Sequence, residues 1–381
     1  NMYTPLLVSI RNSDPSGARV ILESLLEDGR GPWAIHEALF PVVQCVLNPP
    51  FINPHLPKMY AINRELAGYL EQEDIAILVR VEVEEYARRE MLPPIARPSF
   101  VSDVDDFTDV EKAIVTGEIE TTAKVLSAFM ASAGPLPLVK HLLMLGSGYL
   151  DRSLGHSISC TAYLLIEMNI RRDEDPWPVM VSLAEYFCKG NFSKKPTLQY
   201  SAISDYPEVY LLNLKRAVSG RGIGPLHHTI TLYAIEKCRH FLGHQEYDHA
   251  LTMWNKMLGD KTEDLVPVDE VASLPLPDYF TFFHTFLESD PIKILKVVKN
   301  SLNSMDERHR LAQFLIKAVL QCYNGYYNPH YLTGLGAALW VMDRFHEHPD
   351  VVLTCLNQYL DFFYTGVEVG SQGNSRGLKS I

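Results

Sequence analysis

Ala18-Arg-Val-Ile-Leu-Glu-Ser-Leu-Leu26 places apolar side chains at Ala18, Ile21, Leu22 and Leu25, the i, i+3, i+4, i+7 spacing of one helix face. Asp14 and Ser16 stand ahead of it as N-cap candidates. Similar amphipathic stretches recur at 113–130, 178–187, 247–257, 292–302, 311–323 and 351–364, and strand-like alternation between turn residues is scarce. The pattern predicts an all-α chain. Pro, Ser, Asp and Thr gather at 93–109, 192–207 and 260–277, which read as loops, and 207–224 reads as loop-rich. The Gly/Ser-rich tail at 367–381 is expected to be flexible, leaving one helical domain over 1–366.

Within that domain a local pattern repeats. His55 lies in NPHLPKMYAINREL, His156 in LGHSISCTAYLLIEM, His228 in LHHTITLYAIEKCR and His330 in NPHYLTGLGAALWVMD. A small residue follows each by six positions: Ala61, Ala162, Ala234 and Gly336. The gaps are 156 − 55 = 101, 228 − 156 = 72 and 330 − 228 = 102. Each histidine comes at a turn-to-helix junction marked by a nearby Gly or Pro, after what reads as a short amphipathic helix, a break and a more apolar helix. The repeats fall near 15–90, 110–190, 205–260 and 290–364. A period near one hundred differs from the roughly 34–47 of open helical arrays. It predicts multi-helix units packed around a central, histidine-lined metal or active site.

A lone histidine in a helix is most often a hydrogen-bonded structural residue; four at matched positions suggest ligands, since neutral imidazole suits Fe, Zn, Cu and Ni. His227 is the reserve ligand beside His228. His36 and His141 are candidate donors to the ligands or the substrate, whereas His240, His244 and His249 read as an exposed helix end. Four neutral ligands leave a divalent charge unbalanced. Lys317 is an oddity inside the apolar FLIKAVLQC. It either snorkels to the surface or, as a desolvated amine, adds carbon dioxide to become an anionic ligand.

Composition excludes other classes. The net charge of −12 argues against a nucleic-acid partner, and no apolar run reaches the roughly 18 residues of a membrane span. Six scattered cysteines without a CxxC pair, and no secretory signal, suggest free thiols and a cytoplasmic protein. No strand precedes Gly220-Arg-Gly-Ile-Gly224, so no dinucleotide fold is expected, and Gly373-Asn-Ser-Arg-Gly377 lies in the polar tail where no nucleophile elbow forms.

The order of these blocks resembles the questin-oxidase-like family over roughly residues 15–345. NPHLPKMYAINREL is similar to its NHLP-type motif, GSGYLDRSLGHSISCTAYLL to its Gly-rich His turn before T-A-Y, LHHTITLYAIEKCR to its third block, and FLIKAVLQC to the block with an I-K pair. Phe314 stands where a histidine often precedes that pair, and Ala234 where a second histidine often follows the T of the third block. The resemblance implies a fungal aromatic-polyketide oxygenase, with His55, His156 and His228 as iron(II) ligands and Lys317 as a carboxylated, catalytic ligand. His330 joins the set through the internal repeat.

The resulting expectation is a non-haem iron dioxygenase that takes O2 and cleaves a ring C–C bond of a hydroxyanthraquinone-like or other polycyclic phenol, with neither flavin nor haem. Tyr163, Tyr233, Tyr327 and Trp340 are its candidate stacking residues. The alternatives are an NADPH-dependent Baeyer–Villiger-type monooxygenase of the same substrates, a zinc hydrolase, or a non-catalytic helical scaffold.

Overall fold

Helix periodicity carries through the whole fold. A computed structural model describes residues 1–98, 104, 106–323 and 328–366, and there the chain forms nineteen α-helices and three 3-10 turns, with isolated bridges as its only β pairing. The 18–26 stretch lies in the helix Pro15–Glu27, whose Asp14 side chain accepts from the Gly17 amide while Ala18, Leu22 and Leu25 are buried. No helix among the described residues is long and apolar enough to cross a membrane. The tail at 367–381 lies outside the described residues.

Two sequence expectations change. The stretch at 113–130 is two helices, Phe107–Thr116 and Ile119–Ala133, because Gly117 takes the left-handed conformation (φ 72°) that ends the first. The loop-rich 207–224 contains the helix Pro207–Val218. Pro207 is its first residue, Glu208 sits in its first turn and Lys215 and Arg216 in its last, so its ends match the helix dipole. Its buried face is Asn213, Leu214, Ala217 and Val218, too short a stripe to stand out from the surrounding Pro and Gly.

Four helices form the centre: His55–Ala67, His156–Ile170, Ile223–Lys237 and His330–Arg344. Each packs on two of the others in a closed ring, in that order. They all run the same way. Lys58 bonds Ser159 at 3.0 Å, each three residues beyond its histidine. Arg64 bonds Glu167, nine and eleven beyond, and Lys237 pairs with Glu65 at 2.9 Å, ten beyond His227 and His55. Parallel neighbours cannot be joined by tight hairpins, so each connection must return along the bundle. The intervening helices make those returns, and this accounts for histidine spacings of seventy to one hundred residues.

Close approach between these helices depends on glycine at two points. Gly155 sits at φ 78°, and a Cβ there would fall 1.9 Å from Thr231 Oγ1 on the adjacent helix. A Cβ on Gly336 would come within 2.6 Å of Ile62. The small residue six positions after His330 therefore does what its repeat position suggests: it lets the His330 and His55 helices touch.

Candidate metal centre

Three of the four central helices begin at a histidine. Pro54, Gly155 and Pro329 precede His55, His156 and His330, and each break turns the chain so that the first helical side chain points along the bundle axis. The fourth helix begins at Ile223, after Gly222 at φ 94°, and its inward residue is His227, one turn later. His55, His156, His227 and His330 are all buried, and each offers a nitrogen within 4.8 Å of the others. Ring centroids lie 4.5 Å apart for His55–His156, 4.7 Å for His156–His227, 4.6 Å for His227–His330 and 4.6 Å for His330–His55, in the same cyclic order as the helices. Nitrogens bound at about 2.1 Å to one cation lie about 3–4 Å apart, close to the spacing already present in the set.

The hydrogen bonds around the rings define their tautomers. His156 Nδ1–H donates to Ser153 O at 2.7 Å and His227 Nδ1–H to Ile223 O at 2.5 Å. His330 Nδ1–H donates to Asn328 Oδ1 at 2.6 Å, and that oxygen is identified because the His330 amide donates to it as well. Carbonyl oxygens only accept, so the proton of each neutral ring is on Nδ1 and the lone pair on Nε2. His227 and His330 then point two lone pairs at each other across 2.8 Å, and His156 Nε2 is buried with no partner. Burial holds all four rings well below the ordinary histidine value, His227 at about 3, so protons do not relieve the contact near neutrality. A cation between the lone pairs would relieve it. Nδ1 bonded outward and Nε2 bare inward is the arrangement that metal-bound histidines use.

His55 completes the set by the same turn as His330. Both follow Asn-Pro, but Asn53 Oδ1 and His55 Nδ1 are each buried without a partner. The bond made at Asn328 shows how rotation of Asn53 would satisfy both atoms. Replacing Asn328 with Ala is expected to weaken metal binding about 10–100-fold, read by competition with a chromophoric chelator; unchanged affinity would show that this bond does not orient the ring.

Several expected site residues lie elsewhere. His228 is turned about 100° from His227 around the helix, with Nδ1 3.3 Å from Lys261 Nζ, so His227 takes the place expected of its neighbour. Lys317 is not beside the histidines: its ammonium pairs with Asp74 at 3.4 Å and covers the Tyr279 ring at 4.4 Å, part-exposed. The buried lysine of the site is Lys58, completely covered, with its ammonium pushed down to about 8 by desolvation. Its position three residues after His55, on the same helix face, was the available signal.

His36 and His141 do not serve the ligands; His36 is bonded to Glu82 at 2.6 Å and His141 stacks on Phe107. His249 is buried, not exposed: its Nδ1 accepts from the Gln199 amide, so Nε2–H donates to Ser147 Oγ at 3.0 Å. With that tautomer it cannot take a proton from Ser147, so the pair is not a nucleophile and base.

Tyr163, Tyr233 and Trp340 pack in a row farther along the bundle, centroids 6.2 and 5.6 Å apart. Tyr163 is seven residues, about 10 Å of helix rise, beyond His156. Tyr327 lies outside the described residues. A cavity of about 710 Å³, lined by Phe40, Met168, Arg171, Arg172 and Phe241 among others, opens near the C-terminal end of the His156 helix. Met168 is twelve residues past His156, about 18 Å of rise, so this cavity is separate from the histidines. Compared with family models, curated proteins and solved structures, the chain matches none.

Proposed function

We propose that this chain is a mononuclear non-haem iron enzyme that uses O2 to cleave a ring C–C bond of a polycyclic phenol. The single observation that carries the metal reading is the convergence of unprotonated Nε2 atoms from His156, His227 and His330 in a buried pocket. The resemblance to questin-oxidase-like proteins supplies the substrate class and the oxygen chemistry. Iron(II), when bound by these imidazoles, supplies a one-electron donor to dioxygen. The protein's part is to hold the rings. Ser153, Ile223 and Asn328 direct three Nε2 atoms inward, and the burial of all four rings keeps bulk water from the site. Lys58 adds a buried positive charge that favours negative charge developing beside the histidines.

A second reading is a structural cation joining four helix ends, and it is favoured by the burial of every histidine. Protein purified without oxygen separates the two. One iron per chain, with O2 consumed when a hydroxyanthraquinone is added, supports the oxygenase. Bound metal that raises the melting temperature, with no O2 uptake on any phenolic substrate, favours the clamp. Folded protein that binds no divalent metal sinks both.

A further inference from the structure

One helical turn below the histidines, the residues three positions beyond each form a second level: Lys58, Ser159, Ile230 and Thr333. That is about 4.5 Å of rise. All four are buried, with exposures of 1% or less. Lys58 donates to Ser159 Oγ and has no acidic partner among the described residues, although a fully buried ammonium is ordinarily paired. Thr333 Oγ1 is buried with no partner among the described residues. The carboxylates of the four helices are engaged at the other end: Glu167 with Arg64 and Arg171, Glu65 with Lys237, Glu236 with Tyr210 and Tyr247, and Asp343 with Arg308. Cys160, which faces Lys58, is pushed up to about 11 by burial and stays a neutral thiol.

The charges at this end therefore have one sign. A divalent cation on four neutral rings, the Lys58 ammonium and the positive ends of parallel helices meet without an anion. We infer that a small oxyanion, of formate or bicarbonate size, binds between Lys58 and the metal, held by the Lys58 ammonium and the Ser159 and Thr333 hydroxyls. An oxyanion, unlike a halide, carries separate oxygens, so one can face the cation while another accepts from the ammonium and the hydroxyls. The burial of all four residues of this level restricts the ligand to a small one. The inference rests on the metal reading above and does not depend on the reaction.

The test uses cobalt(II), whose visible bands report its ligands, added to metal-free full-length protein, with sodium formate as the probe. Wild type is expected to take up one cobalt and to show a saturable spectral change with formate. Lys58→Met should retain cobalt and weaken formate binding roughly tenfold or more, about 1.4 kcal/mol. Thr333→Val removes an unsatisfied hydroxyl without changing side-chain size, which keeps the test open should Lys58→Met misfold; it too should weaken formate. Cobalt spectra indifferent to formate in wild type, or formate binding equal in wild type and a folded variant, would overturn the inference while leaving the metal site standing. Failure of wild type to bind cobalt would overturn the metal reading, and the oxyanion site with it.

Discussion

Alanine at His227 is expected to lower metal affinity about 100-fold or more, while alanine at its neighbour His228 leaves affinity within about twofold. A four-ligand site binds with roughly 12 kcal/mol, so one ligand accounts for about 3 kcal/mol, and the loss also leaves the His330 lone pair without its share of the cation. His228 touches Lys261 on the outer side of the helix, and its backbone carbonyl accepts from Trp254 Nε1 whatever its side chain. Both variants should fold, and chelator competition reads the difference directly. The reverse result, metal lost with His228 and kept with His227, would mean that the tautomer-defining bond from His227 to Ile223 is not the orienting contact.

Acid is expected to destabilise the metal-free protein steeply. All four site histidines have folded-state values depressed below the ordinary 6.5 by burial, His227 to about 3. Between pH 6.5 and about 3 the unfolded chain binds protons that the folded chain refuses, so stability is complete above 6.5 and falls as pH drops through that window. At pH 5 the His227 ring alone costs about 2 kcal/mol, and the other three add to the loss in the same direction, against a total stability of roughly 5–15 kcal/mol for a domain. Lys58 does not blur the measurement. Its value is lowered from 10.5 to about 8, so its contribution is full above 10.5, declines as pH falls toward 8, and is constant through the acid window. Urea midpoints in chelator at pH 7.5 and pH 5.0 give the comparison, and saturating metal should restore much of the loss. Equal midpoints at the two pH values would show that the rings are protonated, or accessible, in the folded state.

The all-α architecture was legible because helix faces repeat within a few residues and the turns between them carry Gly and Pro. His55, His156 and His330 were legible for a related reason: each is the first residue of its helix, so a local turn signal marks it. His227 is different. Its helix starts one turn earlier, at Ile223, and counting from the start of the apolar run selects His228. Lys58 and Lys317 pose the harder problem. Both are lysines among apolar residues, and only the packing of other helices decides that one is enclosed and the other meets Asp74 and solvent. The parallel direction of the central helices was likewise invisible locally, since nothing in a helix sequence states which way its neighbour runs.

That parallel arrangement also dictates the order in which the protein can be completed. The first and last ligands are 330 − 55 = 275 residues apart, and none of the four comes from a neighbouring turn. During synthesis the early helices collapse while the His330 helix has yet to emerge, so the nascent chain has three imidazoles and an open side to its ring. Contacts of such long range form late and slowly. A metal that needs all four rings would therefore be captured last, and its uptake would separate finished molecules from those whose last helix has not docked.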